Sequence, residues 1–216
     1  MDYEIARANM IEQQIRPWNV LEMQTLNALG ALRREDFVPA EHQDKAFADV
    51  QIPLGEGQTM LEPKLSARLM ESLHLMASDN VLEIGTGSGY LTALMALVSK
   101  HVTSVEISPT LLQLGQRNLG MAGIENVTLV EGDGHEGWGE AGEFDAIMIG
   151  GSMASVSNIW FDKLKAGGRL IVIEGHEPAM EAVLYTRSAG KIKRESLFET
   201  WAPRLKNAED TREFVF

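Results

Sequence analysis

The run Val81-Leu82-Glu83-Ile84-Gly85-Thr86-Gly87-Ser88-Gly89-Tyr90 constrains this chain more than any other part of it. An apolar strand pattern delivers an acid at Glu83, three glycines follow at alternate positions, and a helical pattern then begins. Glycine suits a backbone that must turn sharply and pass close to a ligand with no Cβ in the way. The helix that opens next offers N–H groups with no intrahelical partner, which suit a ligand's polar atoms. A dinucleotide fingerprint needs Gly-x-Gly-x-x-Gly. Counted from Gly85 its third glycine falls on Tyr90, and from Gly87 on Thr92, so that reading fails.

Around this turn the sequence alternates between strand and helix. Apolar strands are predicted at 80–84, 102–106, 126–130, 144–149 and 169–173, with helices at 89–99, 109–121 and 155–165. Ser108-Pro109 opens the second of these helices and Gly167-Gly168 closes the third. Strands in series with intervening helices imply a parallel sheet covered on both faces. Segments 180–187 and 191–199, joined through Ser188-Ala189-Gly190, read as a terminal antiparallel pair. The expected fold is therefore an α/β, doubly wound, mostly parallel seven-stranded sheet.

The N-terminal part reads as a helical cap. Ile5, Ala8, Ile11 and Ile15 form a stripe over 3–16, which Pro17 ends. Asn19 followed by Glu22 resembles a capping box for a second helix through Leu26 and Leu29. Residues 33–58, punctuated by Pro39, Pro53, Gly55 and Gly57, read as loop with a short helix near 41–47. Pro63 suits the first turn of a helix carrying Leu65, Leu69, Leu73 and Met76. The organisation expected is a cap and loop over 1–62 and a compact unit over 63–216.

Composition removes several classes of function. No cysteine occurs among the 216 residues, which excludes disulfides, thiolate nucleophiles and Cys-based zinc sites. The five histidines lack ligand spacing, so no metal is expected. A net charge of −12 argues against nucleic acid and anionic lipid as partners. The acid is concentrated: net charge is −13 over residues 1–150 and +1 over 151–216. Residues Arg187, Lys191, Lys193, Arg194, Arg204 and Lys206 form a locally basic segment, from which an anionic acceptor could approach. No apolar run reaches the length of a membrane span, Met1-Asp2-Tyr3-Glu4 lacks signal-peptide character, and a cytoplasmic location is expected.

The acid-x-Gly-x-Gly-x-Gly pattern resembles the first motif of class I S-adenosylmethionine-dependent methyltransferases, whose fold is Rossmann-like. Glu106 ends the next strand, 21 residues after Gly85, where a carboxylate can accept both ribose hydroxyls. Glu131-Gly132-Asp133-Gly134 follows the third strand, and the resemblance makes Asp133 the acceptor for the adenine amino group. The resemblance then narrows. Arg34-Glu35-Asp36-Phe37-Val38-Pro39, Gly55-Glu56-Gly57-Gln58-Thr59, Glu62-Pro63, Gly132-Asp133-Gly134 with Gly137-Trp138, and Phe144-Asp145-Ala146-Ile147 are similar to segments of the protein-L-isoaspartate O-methyltransferase family. That family implies methyl transfer from S-adenosylmethionine to the carboxylate of an isoaspartyl residue, leaving S-adenosylhomocysteine. It implies cofactor contacts from Gln58, Thr59, Met60, Glu83, Gly85, Thr86, Gly87, Gly89, Glu106, Ile107, Asp133 and Gly134.

The acceptor side departs from the family. Leu61 stands where the family carries a serine, and a leucine donates no hydrogen bond. Gly150-Gly151-Ser152-Met153 replaces an Ala-Ala-Pro-like turn, and Ala202-Pro203-Arg204 a Val-Pro-Leu. Thr59 or Ser152 could supply the missing hydroxyl, and Gly151, Pro203 and Arg204 are the candidate acceptor contacts, Arg204 as a cation. Met60 and Met153 are expected to line an apolar pocket, and Trp138 and Trp201 to anchor packing. The partner expected is a peptide or protein carboxylate, or a small carboxylate, acted on by a monomer or homodimer. Two alternatives stay open: a paralogue with a different acceptor, and a cofactor-binding protein without turnover.

Overall fold

The computed structural model describes residues 2–139 and 142–208. Its helices and strands run, in chain order, α1 (Tyr3–Met10), α2 (Met23–Ala31), β1 (Ile52–Gly55), β2 (Gln58–Met60), α3 (Pro63–Ser72), β3 (Asn80–Ile84), α4 (Tyr90–Ala96), β4 (His101–Glu106), α5 (Pro109–Met121), β5 (Val127–Glu131), β6 (Phe144–Met153), α6 (Asn158–Lys163), β7 (Leu164–His176), β8 (Ala179–Ser188) and β9 (Lys191–Thr200). Strands β3 to β9 form one seven-stranded sheet in the order β5-β4-β3-β6-β7-β8-β9. Neighbours are parallel from β5 to β7 and antiparallel from β7 to β9. The order reverses at β3, with β4 on one side and β6 on the other. Crevices at such switch points, beyond the carboxyl ends of the strands, are where open α/β sheets bind ligands.

The two-residue period of β3 explains how the sheet is covered. Val81 belongs to one apolar cluster with the cap residues Met10, Ile15, Leu29 and Phe37, and with Ala146 and Ile171 of the sheet. Leu82 and Ile84 point the other way, into a second cluster with Ile147, Trp160 and Leu170. The cap thus shares a continuous core with one face of the sheet.

Two parts of the cap differ from expectation. The helix expected over 3–16 keeps α-geometry only to Met10; Ile11–Ile15 widen into a π-turn and Arg16–Trp18 tighten to 3-10. Asn19, with φ at 61°, terminates that segment and does not cap α2. The N–H groups before α2 are taken instead by the Glu71 carboxylate of α3, which accepts from Leu21 N at 3.0 Å and Glu22 N at 3.4 Å. A tertiary acceptor therefore replaced the local capping box. The segment 33–58 also holds more than loop, because β1 and β2 pair as a short hairpin after two 3-10 turns, Arg34–Phe37 and Ala40–Lys45. Strands of four and three residues, one containing Pro53, carry too little alternation to be read from the sequence.

Elsewhere lengths change, and Gly167-Gly168, expected to close the third helix, lie inside β7 because that helix ends at Lys163 and the strand begins directly at Leu164. The third expected helix shortens to α6, β6 runs on to Met153 and β7 to His176. The helix begun at Pro63 ends at Ser72, leaving Met76 exposed beyond it.

Candidate active site

Glu83 forms the floor of the site. Its side chain is completely buried at the end of β3, where Thr92 Oγ1 and Ser104 Oγ donate to Oε2 at 2.5 and 2.6 Å. Thr86, in the glycine turn above, shares a 2.6 Å hydrogen bond with Ser104. Burial, reinforced by the charge of Glu106 and opposed by the Ser104 and Thr92 hydrogen bonds, pushes the Glu83 carboxyl up to about 7. Glu83 and Thr86 were expected to touch the cofactor, yet neither lines the main cleft. Glu83 braces the glycine turn from beneath, because a strand residue facing the covered side of the sheet meets helix and neighbouring strand, whereas Thr86, beyond the strand, borders a recess adjoining the cleft.

The turn passes through positive φ at Gly85 (94°), Gly87 (53°) and Gly89 (82°) and then opens α4. At its far side Gly150 of β6 comes so close that a Cβ there would lie 2.9 Å from Ile84 O. The Gly150-Gly151 pair thus has a packing reason beyond any ligand. Glu106, at the end of β4, holds the turn in place: Oε2 accepts from Gly87 N at 2.9 Å and Oε1 from Ser108 N at 3.0 Å. Ser108 Oγ donates to Glu56 Oε2 at 2.7 Å, which fastens the β1–β2 hairpin to the start of α5.

Above these groups lies a cleft of about 660 Å³, counting its open mouth. Its lining brings Glu106, Ile107, Leu111 and Asp133 together with Leu54, Gln58, Thr59, Leu61, Gly85, Gly87, Gly150 and Gly151. Pro203, Leu205 and Lys206, from the segment after β9, close a side. Partial burial would raise the Asp133 carboxyl, but hydrogen bonds from Asn207 and from the backbone and ring of His135 outweigh it and hold the group below the usual carboxylate range. A carboxylate at each of two adjacent strand ends, an apolar slot between them and a turn without Cβ atoms fit an adenosine joined to an amino acid.

Among the expected site residues, Gln58, Thr59, Leu61, Gly85, Gly87, Glu106, Ile107, Asp133, Gly151 and Pro203 are brought together on this cleft. Others lie elsewhere. Met60 is buried and borders only an adjoining recess beside Thr59, Leu61 and Tyr90. Gly89 packs against Gly115, and Gly134 against Ile84. Ser152 is fully buried; its N–H donates to Pro203 O at 2.8 Å and its carbonyl accepts from Leu205 N at 2.9 Å. Its hydroxyl accepts from Arg204 Nη1 at 3.5 Å, and Arg204 Nη2 donates to Gly175 O at 3.0 Å. Both side chains stitch the C-terminal segment to the sheet and stay off the cleft wall. Met153 is buried in the second core cluster, where Trp138 packs against it. Trp201, by contrast, is 44% exposed, with its indole N–H on Glu177.

Several groups on or behind the cleft carried no sequence signal. Leu54, Leu111 and Leu205 reach it through the fold alone, while Lys206 is the member of the expected basic segment that lines it. Arg34, noted within the Arg-Glu-x-Phe segment but given no role, is fully buried. It donates to Ala46 O and Leu61 O, each at 2.8 Å, and stacks over Tyr90 at 4.5 Å. It ties the Leu61 backbone to the first residue of α4.

A sequence model of the protein-L-isoaspartate(D-aspartate) O-methyltransferase family matches residues 6–201. The chain belongs to this family. The protein-L-isoaspartate O-methyltransferase of Myxococcus xanthus is 41% identical over 170 residues, covering 79% of this chain and 80% of the relative. The same-named protein of Koribacter versatilis is 33% identical over 196 residues, covering 90% of this chain and 88% of its own. A solved protein-L-isoaspartate O-methyltransferase superposes with a TM-score of 0.80 at 28% identity, over 92% of this chain and 65% of that one. A Plasmodium falciparum structure, described as a putative protein-L-isoaspartate O-methyltransferase in complex with S-adenosyl-L-homocysteine, gives a TM-score of 0.79 at 21% identity over 95% of this chain and 99% of that one. At that identity it shows the fold.

Leu54 and Leu61 line the cleft, and Thr59 is the hydroxyl among the residues that line it. No group of three or more metal-ligating side chains occurs among the described residues, and no helix of theirs is long and apolar enough to cross a membrane.

Proposed function

We propose that the chain is a cytoplasmic enzyme that transfers a methyl group from S-adenosylmethionine to a free carboxylate of the isoaspartyl type in a peptide or protein. The observation that carries this reading is the cleft at the switch point, where Glu106 and Asp133 stand at adjacent strand ends beside the glycine turn. Residues 1–62 and 63–216 act in it as one unit, since the hairpin supplies Leu54, Gln58 and Thr59 to a cleft built on the sheet. When bound, the cofactor would supply a methyl activated by its sulfonium, for transfer to a carboxylate oxygen with the thioether S-adenosylhomocysteine as leaving group and no proton to move.

This chain's residues then have three tasks. Glu106 and Asp133 accept hydrogen bonds from the ribose hydroxyls and the adenine amino group, and Ile107 and Leu111 flank the base. Gly85 and Gly87 let the amino-acid part lie against the backbone. The hairpin and the segment after β9 exclude water and align the acceptor, a proximity task that needs no general base because a carboxylate with a pKa near about 4 is already ionised. Lys206 is placed to attract that carboxylate from the cleft wall, the part expected of Arg204.

Calorimetry with S-adenosylmethionine and S-adenosylhomocysteine tests the cofactor half, and tritium transfer to an isoaspartyl hexapeptide tests the acceptor half. Binding that is lost in Glu106→Ala and Gly87→Val, together with labelled methyl ester released by base, is expected. A folded wild-type protein that binds neither ligand would overturn the reading. Binding without transfer would restrict it to the cofactor.

A further inference from the structure

Thr59 is the hydroxyl among the residues that line the cleft, and its proton is already committed. Thr59 Oγ1 donates to Gln51 Oε1 at 3.0 Å, and the Gln51 amide is fixed in that sense because Nε2 donates to Glu62 Oε1 at 3.5 Å. An ionised carboxylate accepts only, so Glu62 turns the amide nitrogen toward itself and the amide oxygen toward Thr59. A hydroxyl has one proton and two lone pairs, and with the proton given to Gln51 only lone pairs remain for the cleft. Such an oxygen repels an incoming carboxylate. It suits a positively polarised group.

We infer that Gln51 is a positioning residue that aims the lone pairs of Thr59 at the sulfonium methyl of the bound cofactor. The inference rests on the cofactor assignment above and goes beyond it. Thr59 borders both the cleft and its adjoining recess together with Gly85, Gly87 and Gly150, beside the glycine turn against which the amino-acid part of the cofactor is assigned. The cations there are the ammonium and the sulfonium. A C–H···O contact to a methyl on a sulfonium is a weak hydrogen bond strengthened by charge. It also holds the methyl toward the acceptor mouth, where Leu61 offers shape without polarity. The chain therefore binds the reactive methyl through Thr59 and leaves the acceptor carboxylate to other groups.

The test compares affinities for S-adenosylmethionine and S-adenosylhomocysteine, which differ in the sulfonium methyl and share the ammonium, ribose and adenine. Calorimetry on the full chain is expected to show that Thr59→Val and Gln51→Met each lower the preference for S-adenosylmethionine by about two- to fivefold. Affinity for S-adenosylhomocysteine should stay near wild type, and Thr59→Ser should keep the wild-type preference. An unchanged ratio in Thr59→Val, or an equal loss for both ligands, would overturn the inference by showing no contact or one with the shared part. Wild-type protein that binds neither ligand would instead overturn the cofactor assignment, so the two failures are separable. Coincident thermal transitions for wild type and variants would show that the ratio is read on folded protein.

Discussion

A carboxyl group with no exposure and a pKa near 7 makes Glu83 sensitive to pH in the range where the protein works. Its native value lies above the unfolded value of 4.5, so the native state holds the proton more tightly. The stability gained in this way is complete below about pH 4.5 and is lost as pH rises through about 7. The shift corresponds to about 3 kcal/mol as an upper figure for a single group. Urea titrations of wild type and Glu83→Gln between pH 5 and 8 check this. The wild type should lose stability relative to the variant as pH rises, and parallel curves would refute the linkage. Arg34 makes a second residue-level case. Arg34→Met leaves the Ala46 and Leu61 carbonyls without their donor and should cost about 2–4 kcal/mol in the same titration. Lys206→Ala, at the exposed rim of the cleft, should raise KM for an isoaspartyl peptide severalfold and leave cofactor affinity unchanged, as initial-rate kinetics and calorimetry would show.

Among the elements, the β1–β2 hairpin matters most to the cleft, and it is the one that sequence periodicity does not reveal. Its strands are too short for alternation to register, and its position depends on the Glu56–Ser108 contact, which spans 52 residues. Glu56→Ala should release the hairpin tip from α5, raise amide exchange over 52–60 and speed cofactor dissociation several-fold without changing the exchange of β3. Hydrogen-exchange mass spectrometry and stopped-flow displacement read both effects. The central strands were legible because they are buried on both faces and read as continuous apolar runs, as Ala146 to Ile149 and Leu170 to Ile173 do. The start of α2 was not, since Glu71, half a hundred positions away, supplies the acceptor that Asn19 seemed placed to give. The gathering of Gly85, Gly87, Glu106 and Asp133 on one cleft was legible for a related reason: they sit at strand ends, and strand ends converge in a parallel sheet. Ser152 and Arg204 were misread because nothing local says that the segment after β9 returns to pair with β6 and turns both side chains away from the cleft.

Over the whole molecule, the basic segment near the C-terminus does not amount to a cationic face. Arg187 donates to the Phe161 and Leu164 carbonyls, Lys193 pairs with Glu195, and Arg194 pairs with Glu174 and Glu181. With these charges spent internally and a net charge of −12, long-range steering of anionic acceptors is weak. Raising salt from about 50 to about 500 mM should change KM for an isoaspartyl peptide by less than about twofold, and a steep rise would show a steering field. The segment from Pro203 to Asn207 has a further consequence for anyone handling the protein. It walls the cleft and holds Asp133, and it joins the sheet through the Ser152–Arg204 bridge and the Arg204 side chain. A protease nick near Trp201 would free Ala202 and Leu205 from the two core clusters and open the binding site along one side, so a clipped preparation should both melt below the intact protein and lose ligand. Mass measurement of each batch separates such a clipped preparation from an inactive one.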